Sequence, residues 1–172
     1  MPLLDAATVY HGSDAAQTRR YLATLEALGP NGRLAAALFR ACKASARAKQ
    51  YRGRSGNGTG PRYRDLAYAR KQEALNAVCT LLLAEPTALP LIWGWAQDAA
   101  QPWYAQVLYV ELPREGQVSF HSPVRGPGPA YTGVWDGAHA SLERILTFCD
   151  TLAAAAQSMP LFVTRPERQA QP

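Results

Sequence analysis

The chain has 172 residues, 48% of them hydrophobic and 18% charged, with a formal net charge of +5. That length is enough to bury a sizeable core, and that balance describes a globular chain rather than a disordered one. No apolar run approaches the roughly 18 residues of a membrane span. Residues 1–10 hold Asp5 and no basic n-region, so no secretory signal is expected. The expectations are a cytoplasmic protein without cofactor or membrane partner, one domain over residues 1–160 and a loose tail over 161–172.

In chain order, Ser13 is a good N-cap for a first helix through Tyr21, Leu22, Leu25 and Leu28, which Gly29 and Pro30 end. Asn31 then caps a second helix, Gly32 to Tyr51. At about 100° per residue, Arg33, Arg40, Lys43 and Arg47 fall within about 80° of one another. Leu34, Leu38, Cys42, Ser45 and Ala46 occupy the other side. The helix thus has an apolar back and a basic front. The glycine-rich stretch from Gly53 to Pro61 lacks the Gly-Lys-Ser/Thr of a phosphate loop and predicts a mobile basic loop over 53–62.

A third helix runs from Asp65 to Ala84 with Tyr68, Leu75, Val78, Cys79 and Leu82 as its apolar stripe. Lys71 falls inside that stripe. Its stem can pack while the ammonium reaches water, or it stands at the edge of a site.

From Leu89 the pattern turns to strands: Leu91 to Trp95, Trp103 to Leu112, a turn at Pro113 to Gly116, and Gln117 to Ser122 returning antiparallel. Pro123 to Gly137 is a Gly/Pro-rich loop. A last helix, Ala138 to Gln157, carries Leu142, Ile145, Leu146, Cys149 and Leu152 at helical spacing. The fold class expected is α+β: three N-terminal helices, a small three-stranded antiparallel sheet and a C-terminal helix. Cys42, Cys79 and Cys149 each sit on an apolar helix face and read as buried thiols in a reducing compartment.

Charge gives the strongest functional lead. Ten of the eighteen Lys and Arg residues lie between Arg40 and Lys71, with Asp65 the one acid among them, which leaves that segment at +9. Eight bases against twelve acids leave the rest of the chain at −4. Like charges repel in the compact state, so such a cluster points to a polyanion or an acidic partner. Arg33, Arg40, Lys43 and Arg47 on a helix face, with Arg52, Arg54, Arg62, Arg64 and Lys71 following, predict contacts to the phosphates of DNA or RNA. The alternative is an acidic host protein docked on the same face. Trp93, Trp95, Trp103, Tyr104, Tyr109 and Phe120 lie on strands, as core residues or as platforms for unpaired bases.

A second constellation centres on His121, at a strand end entering the loop that holds Arg125. As an enzyme acting on a phosphorylated substrate, the chain would use His121 as general base, Arg125 as anion clamp and Asp136, Asp98 or Glu111 to orient the imidazole. The more ordinary reading of His121 is a surface or hydrogen-bonded structural histidine. His11, His121 and His139 are too scattered to predict a metal site.

Several segments resemble an uncharacterised group of small proteins of phages, prophages and other mobile elements. They are Gly29 to Gly32, Leu38 to Ser45 with Arg47 to Lys49, Ala67 and Tyr68 with Lys71, Trp93 to Trp95, and Gln117 to Ser122 with Arg125, Gly126 and Trp135 to Gly137. The resemblance spans residues 12–150 and implies a mobile-element context, with no activity and no catalytic residues attached.

Overall fold

Two prolines set where the long helices begin. In the computed structural model, which describes residues 4–12, 14–51, 61–84, 93–96, 104–123 and 138–158, the order is α1 (Ala6–His11), α2 (Ala15–Glu26), α3 (Pro30–Tyr51), α4 (Pro61–Ala84), β1 (Trp93–Ala96), β2 (Tyr104–Leu112), β3 (Gly116–Pro123) and α5 (Ala138–Ser158). Pro30 and Pro61 each occupy a first helical position, where the missing N–H is no loss and the fixed φ suits the helix. The chain is α+β, as its residue patterns predict.

Four details of the expected helices are corrected. Four helices, not three, precede the strands: α1 is only six residues long, too short for periodicity to show, and Asp5 caps it. The Asp5 carboxylate accepts from the Thr8 hydroxyl and the Thr8 N–H, both at 2.7 Å, which holds its pKa below the usual value. The cap of α2 is Asp14, which accepts from the N–H groups of Ala16 and Gln17, rather than Ser13. Asn31 does not cap α3 but lies in its first turn, and the Gly29 carbonyl accepts the Arg33 N–H at 2.9 Å. The start of α4 likewise takes in Arg62 and Arg64, which the sequence pattern placed in or beside the loop. The rest of that loop, the Gly/Pro-rich stretch beyond Pro123 and the C-terminal tail lie outside the described residues.

The strands pair antiparallel in the order β1-β2-β3. Leu112 lies opposite Gly116 and Val110 opposite Val118, and the register slips between Tyr104 and Gln106. Gly116 takes φ +82°, a backbone region suited to glycine, as the hairpin re-enters β3. Val110, Leu112, Val118 and Phe120 are buried, consistent with one sheet face turned to the core. On that side α5 lies against β3, and Arg144 donates to the Gln117 carbonyl at 2.7 Å.

One core cluster runs from Ala6 to Ala153 and draws on all five helices and on β2 and β3. At its centre is α3, which packs on α2, α4 and α5. Six consecutive residues, Leu34 to Phe39, are buried. Ile145, Phe148, Cys149 and Ala153 form the buried stripe of α5, which meets α3 where the Cys149 thiol donates to the Ala35 carbonyl at 3.6 Å. The next residue, Asp150, ties three helices together. It accepts from the Ala6 N–H at 2.7 Å and from the Tyr21 hydroxyl at 3.1 Å, joining α5 to α1 and α2.

α2 and α3 approach closely at Gly32. A Cβ there would overlap the Leu25 carbonyl oxygen and lie 2.8 Å from Leu28 Cβ. Replacing glycine with alanine inside a helix ordinarily gains about 1 kcal/mol. Here the overlap is with backbone, which cannot rotate away, and overpacking costs about 1–3 kcal/mol or more. Gly32→Ala is therefore expected to lower the midpoint of thermal unfolding, despite its better helix propensity. An unchanged or raised midpoint would show that α2 is free to shift.

Burial raises the pKa of all three thiols, and Cys42 and Cys149 are almost wholly enclosed while Cys79 is half-buried. In the native protein at neutral pH, an aqueous thiol reagent should modify Cys79 at most, and all three cysteines only after denaturation. Equal native rates for Cys42 and Cys79 would mean that the α3–α5 contact opens freely.

Candidate nucleic-acid interface

The cations of α3 lie along one side of the helix because Arg40, Lys43, Arg47 and Tyr51 recur at helical spacing. On α4, Tyr63, Leu66, Ala67 and Arg70 recur in the same way. These two stripes face each other across a groove of about 400 Å³, with Thr18 and Leu22 of α2 at one side. Phe39 and Leu22, both buried, lie beneath it. Among the described residues, four cationic side chains line it, Arg40, Lys43, Arg47 and Arg70, and no acidic one does.

Those cations differ in their freedom. Arg40 donates to Glu26 at 2.6 Å, an ion pair with both partners nearly half exposed. Lys43 donates to the Val9 carbonyl at 3.3 Å. That carbonyl belongs to the last turn of α1, whose acceptors lack intrahelical partners and whose dipole favours a cation. Partial burial lowers the pKa of the Lys43 ammonium. Arg47 and Arg70 are exposed.

The predicted basic residues are thus divided. Arg40, Lys43 and Arg47 come together in the groove, whereas Arg33 lines a separate hollow of about 560 Å³ with Arg40, Glu26 and the Ala74 to Leu81 part of α4. Lys71 is not among the residues that line the groove. At 5% exposure it is buried in the bundle. Its neighbour Arg70 faces the groove instead, because one residue along a helix turns the side chain by about 100°. Arg52 and Arg54 lie outside the described residues, and for Arg62 and Arg64 only the helical backbone is described.

Of the second constellation, His121 is in β3 opposite Val107. Arg125, Asp98 and Asp136 lie outside the described residues. Glu111 does not serve His121: it pairs with Gln117, four residues along β2 from Val107, a separation of roughly 13 Å at the strand rise. Among the described residues, no group of three His, Cys, Asp or Glu side chains could hold a metal ion, and no helix is long and apolar enough to cross a membrane.

Against protein-family models, curated proteins and solved structures, the chain has no match. Its site must therefore be read from its own geometry.

The sequence reading did not assign Tyr51, Tyr63 or Leu66 to the site, and it counted Arg70 in the basic cluster without giving it a contact. The signal was present in the i, i+3, i+7 spacing of Tyr63, Leu66 and Arg70, but the stronger apolar stripe of α4 drew attention to its other side. Glu26 is a further residue of consequence, since it neutralises Arg40 at the rim. An exposed pair of this kind contributes about 0–1 kcal/mol to stability. Glu26→Gln is accordingly expected to leave the unfolding free energy within about 1 kcal/mol of wild type while strengthening retention on a heparin column. Weaker retention would mean that Arg40 needs Glu26 to hold it in the groove.

Proposed function

We propose that this α+β protein, with a three-stranded sheet and C-terminal helix behind its helical groove, binds nucleic acid as an accessory factor of a phage or other mobile element. The observation that carries the reading is the convergence of Arg40, Lys43, Arg47 and Arg70 on one groove that has no acidic lining residue among the described residues. Cations from two helices set at different places along a groove match phosphates spaced along a backbone. Arginine is suited to this role because its planar fork meets two phosphate oxygens at once. The sequence adds Arg52, Arg54, Arg62 and Arg64 between the two cationic helix faces, all of the same sign. Binding of this kind is mainly electrostatic and reads little sequence. The mobile-element context rests on the resemblance of the segments from Gly29 to Gly137 alone.

The test is a salt titration of binding to labelled DNA and RNA by fluorescence anisotropy. Each neutralised phosphate contributes about −0.9 to the slope of log K against log[salt] for duplex and about −0.7 for a single strand. The double variant Arg47→Ala/Arg70→Ala removes the two exposed groove cations and should flatten the slope by about 1.4 to 1.8 with little change in stability. No binding of any strand at about 50 mM salt would overturn the reading and leave an acidic host protein as the partner to seek.

A further inference from the structure

The lip of the groove is not only cationic. Three large hydrophobic side chains are exposed among the described residues, Tyr63, Leu66 and Leu83, and two of the three line this groove. Tyr63 is 57% and Leu66 46% exposed. They stand one turn apart on α4, with Arg70 the next turn on and Arg47 on the facing helix. Exposed apolar surface scattered singly needs no explanation, but apolar surface interleaved with cations at a concave site does.

We infer that the groove takes an unpaired nucleotide of a single strand, with its base against Tyr63 and Leu66 and its phosphates against Arg47 and Arg70. The inference rests on the nucleic-acid reading above and narrows it. A duplex keeps its base faces inside the stack and offers a protein phosphates, sugars and base edges. Against that surface, the Tyr63 ring and Leu66 would lose water and meet no apolar partner. An unpaired strand alternates a flat π-face with a phosphate, which is the alternation the groove presents. The cavity volume, about 400 Å³, lies within the range of about 300–1,000 Å³ typical of small-ligand sites. Phe39 lies beneath the groove but is fully buried, so the apolar contact offered to a base is that of Tyr63 and Leu66 at the lip.

The experiment compares four probes at one salt concentration: a single-stranded oligonucleotide, a strand of equal length with abasic sites, the matched duplex and a mononucleotide. The base-carrying strand should bind about tenfold or more tighter than the abasic strand and the duplex, in keeping with the contribution of one stacked base. Tyr63→Ala should weaken binding of the base-carrying strand about tenfold without changing the salt slope, and Tyr63→Phe should restore it because the ring remains. Leu66→Ala, checked like Tyr63→Ala for folding by circular dichroism, gives a second variant and should produce a smaller loss of the same kind. Equal affinity for base-carrying and abasic strands overturns this inference and leaves the electrostatic reading standing. So does a Tyr63→Ala loss that is the same for both. A mononucleotide that competes as well as the strand overturns the assignment to a strand. Failure of every probe to bind at about 50 mM salt overturns both readings together.

Discussion

The enclosure of α3 is the constraint on which the remaining structure depends. Six successive residues turn through more than one full revolution, so the buried run from Leu34 to Phe39 requires neighbours on every side of the helix. α2, α4 and α5 supply them. Gly32 permits the close contact with α2, because only a residue without Cβ lets the Leu25 carbonyl lie against the helix. With that half of α3 sealed, the charged residues the helix carries can reach solvent chiefly from its C-terminal half. Arg40, Lys43 and Arg47 follow the buried run directly. The position of the basic groove is therefore a consequence of how the core is closed.

Phe39 links the two. It is fully buried, its ring meets Tyr10 edge-on with centroids 5.9 Å apart and Tyr21 at the same separation, and it also lies beneath the groove. Aromatic pairs of this geometry contribute about 0.5–1.5 kcal/mol beyond the area they bury. The support beneath the groove is thus held by α1 and α2 and does not have to reorganise when the groove is filled. That matters because ordering mobile groups on binding costs about 0.5–1.5 kcal/mol for each long side chain. The walls are less rigid: Arg47 and Arg70 are exposed, while Arg40 and Lys43 already have partners in Glu26 and the Val9 carbonyl. A count of cations alone overstates such a site. What distinguishes it is the combination of a preformed apolar support, an exposed aromatic lip and four lining cations.

Local residue order determined the long elements of this protein. The apolar spacing of α2, α3, α4 and α5, the alternation of β2 and β3 and the turn at Pro113 to Gly116 are all properties of neighbours within a few residues, and they place the elements to within a turn. It also determined the charge of the segment from Arg40 to Lys71, since charge is set by composition. Short-range order failed where the signal was short or ambiguous: the six-residue α1, the choice between Asp14 and Ser13 as cap, and Asn31, which the first-turn preference of Pro30 displaced. Only the tertiary structure decided which cations share a surface. Lys71 and Arg70 are adjacent in the chain and alike in charge, yet one is buried in the bundle and the other faces the groove. The pairing of Arg40 with Glu26, fourteen residues away, and the opposition of the Tyr63 stripe to the Arg47 stripe depend on how α2 and α4 dock against α3. That docking is set by long-range packing around Gly32 and Phe39, which no local pattern records.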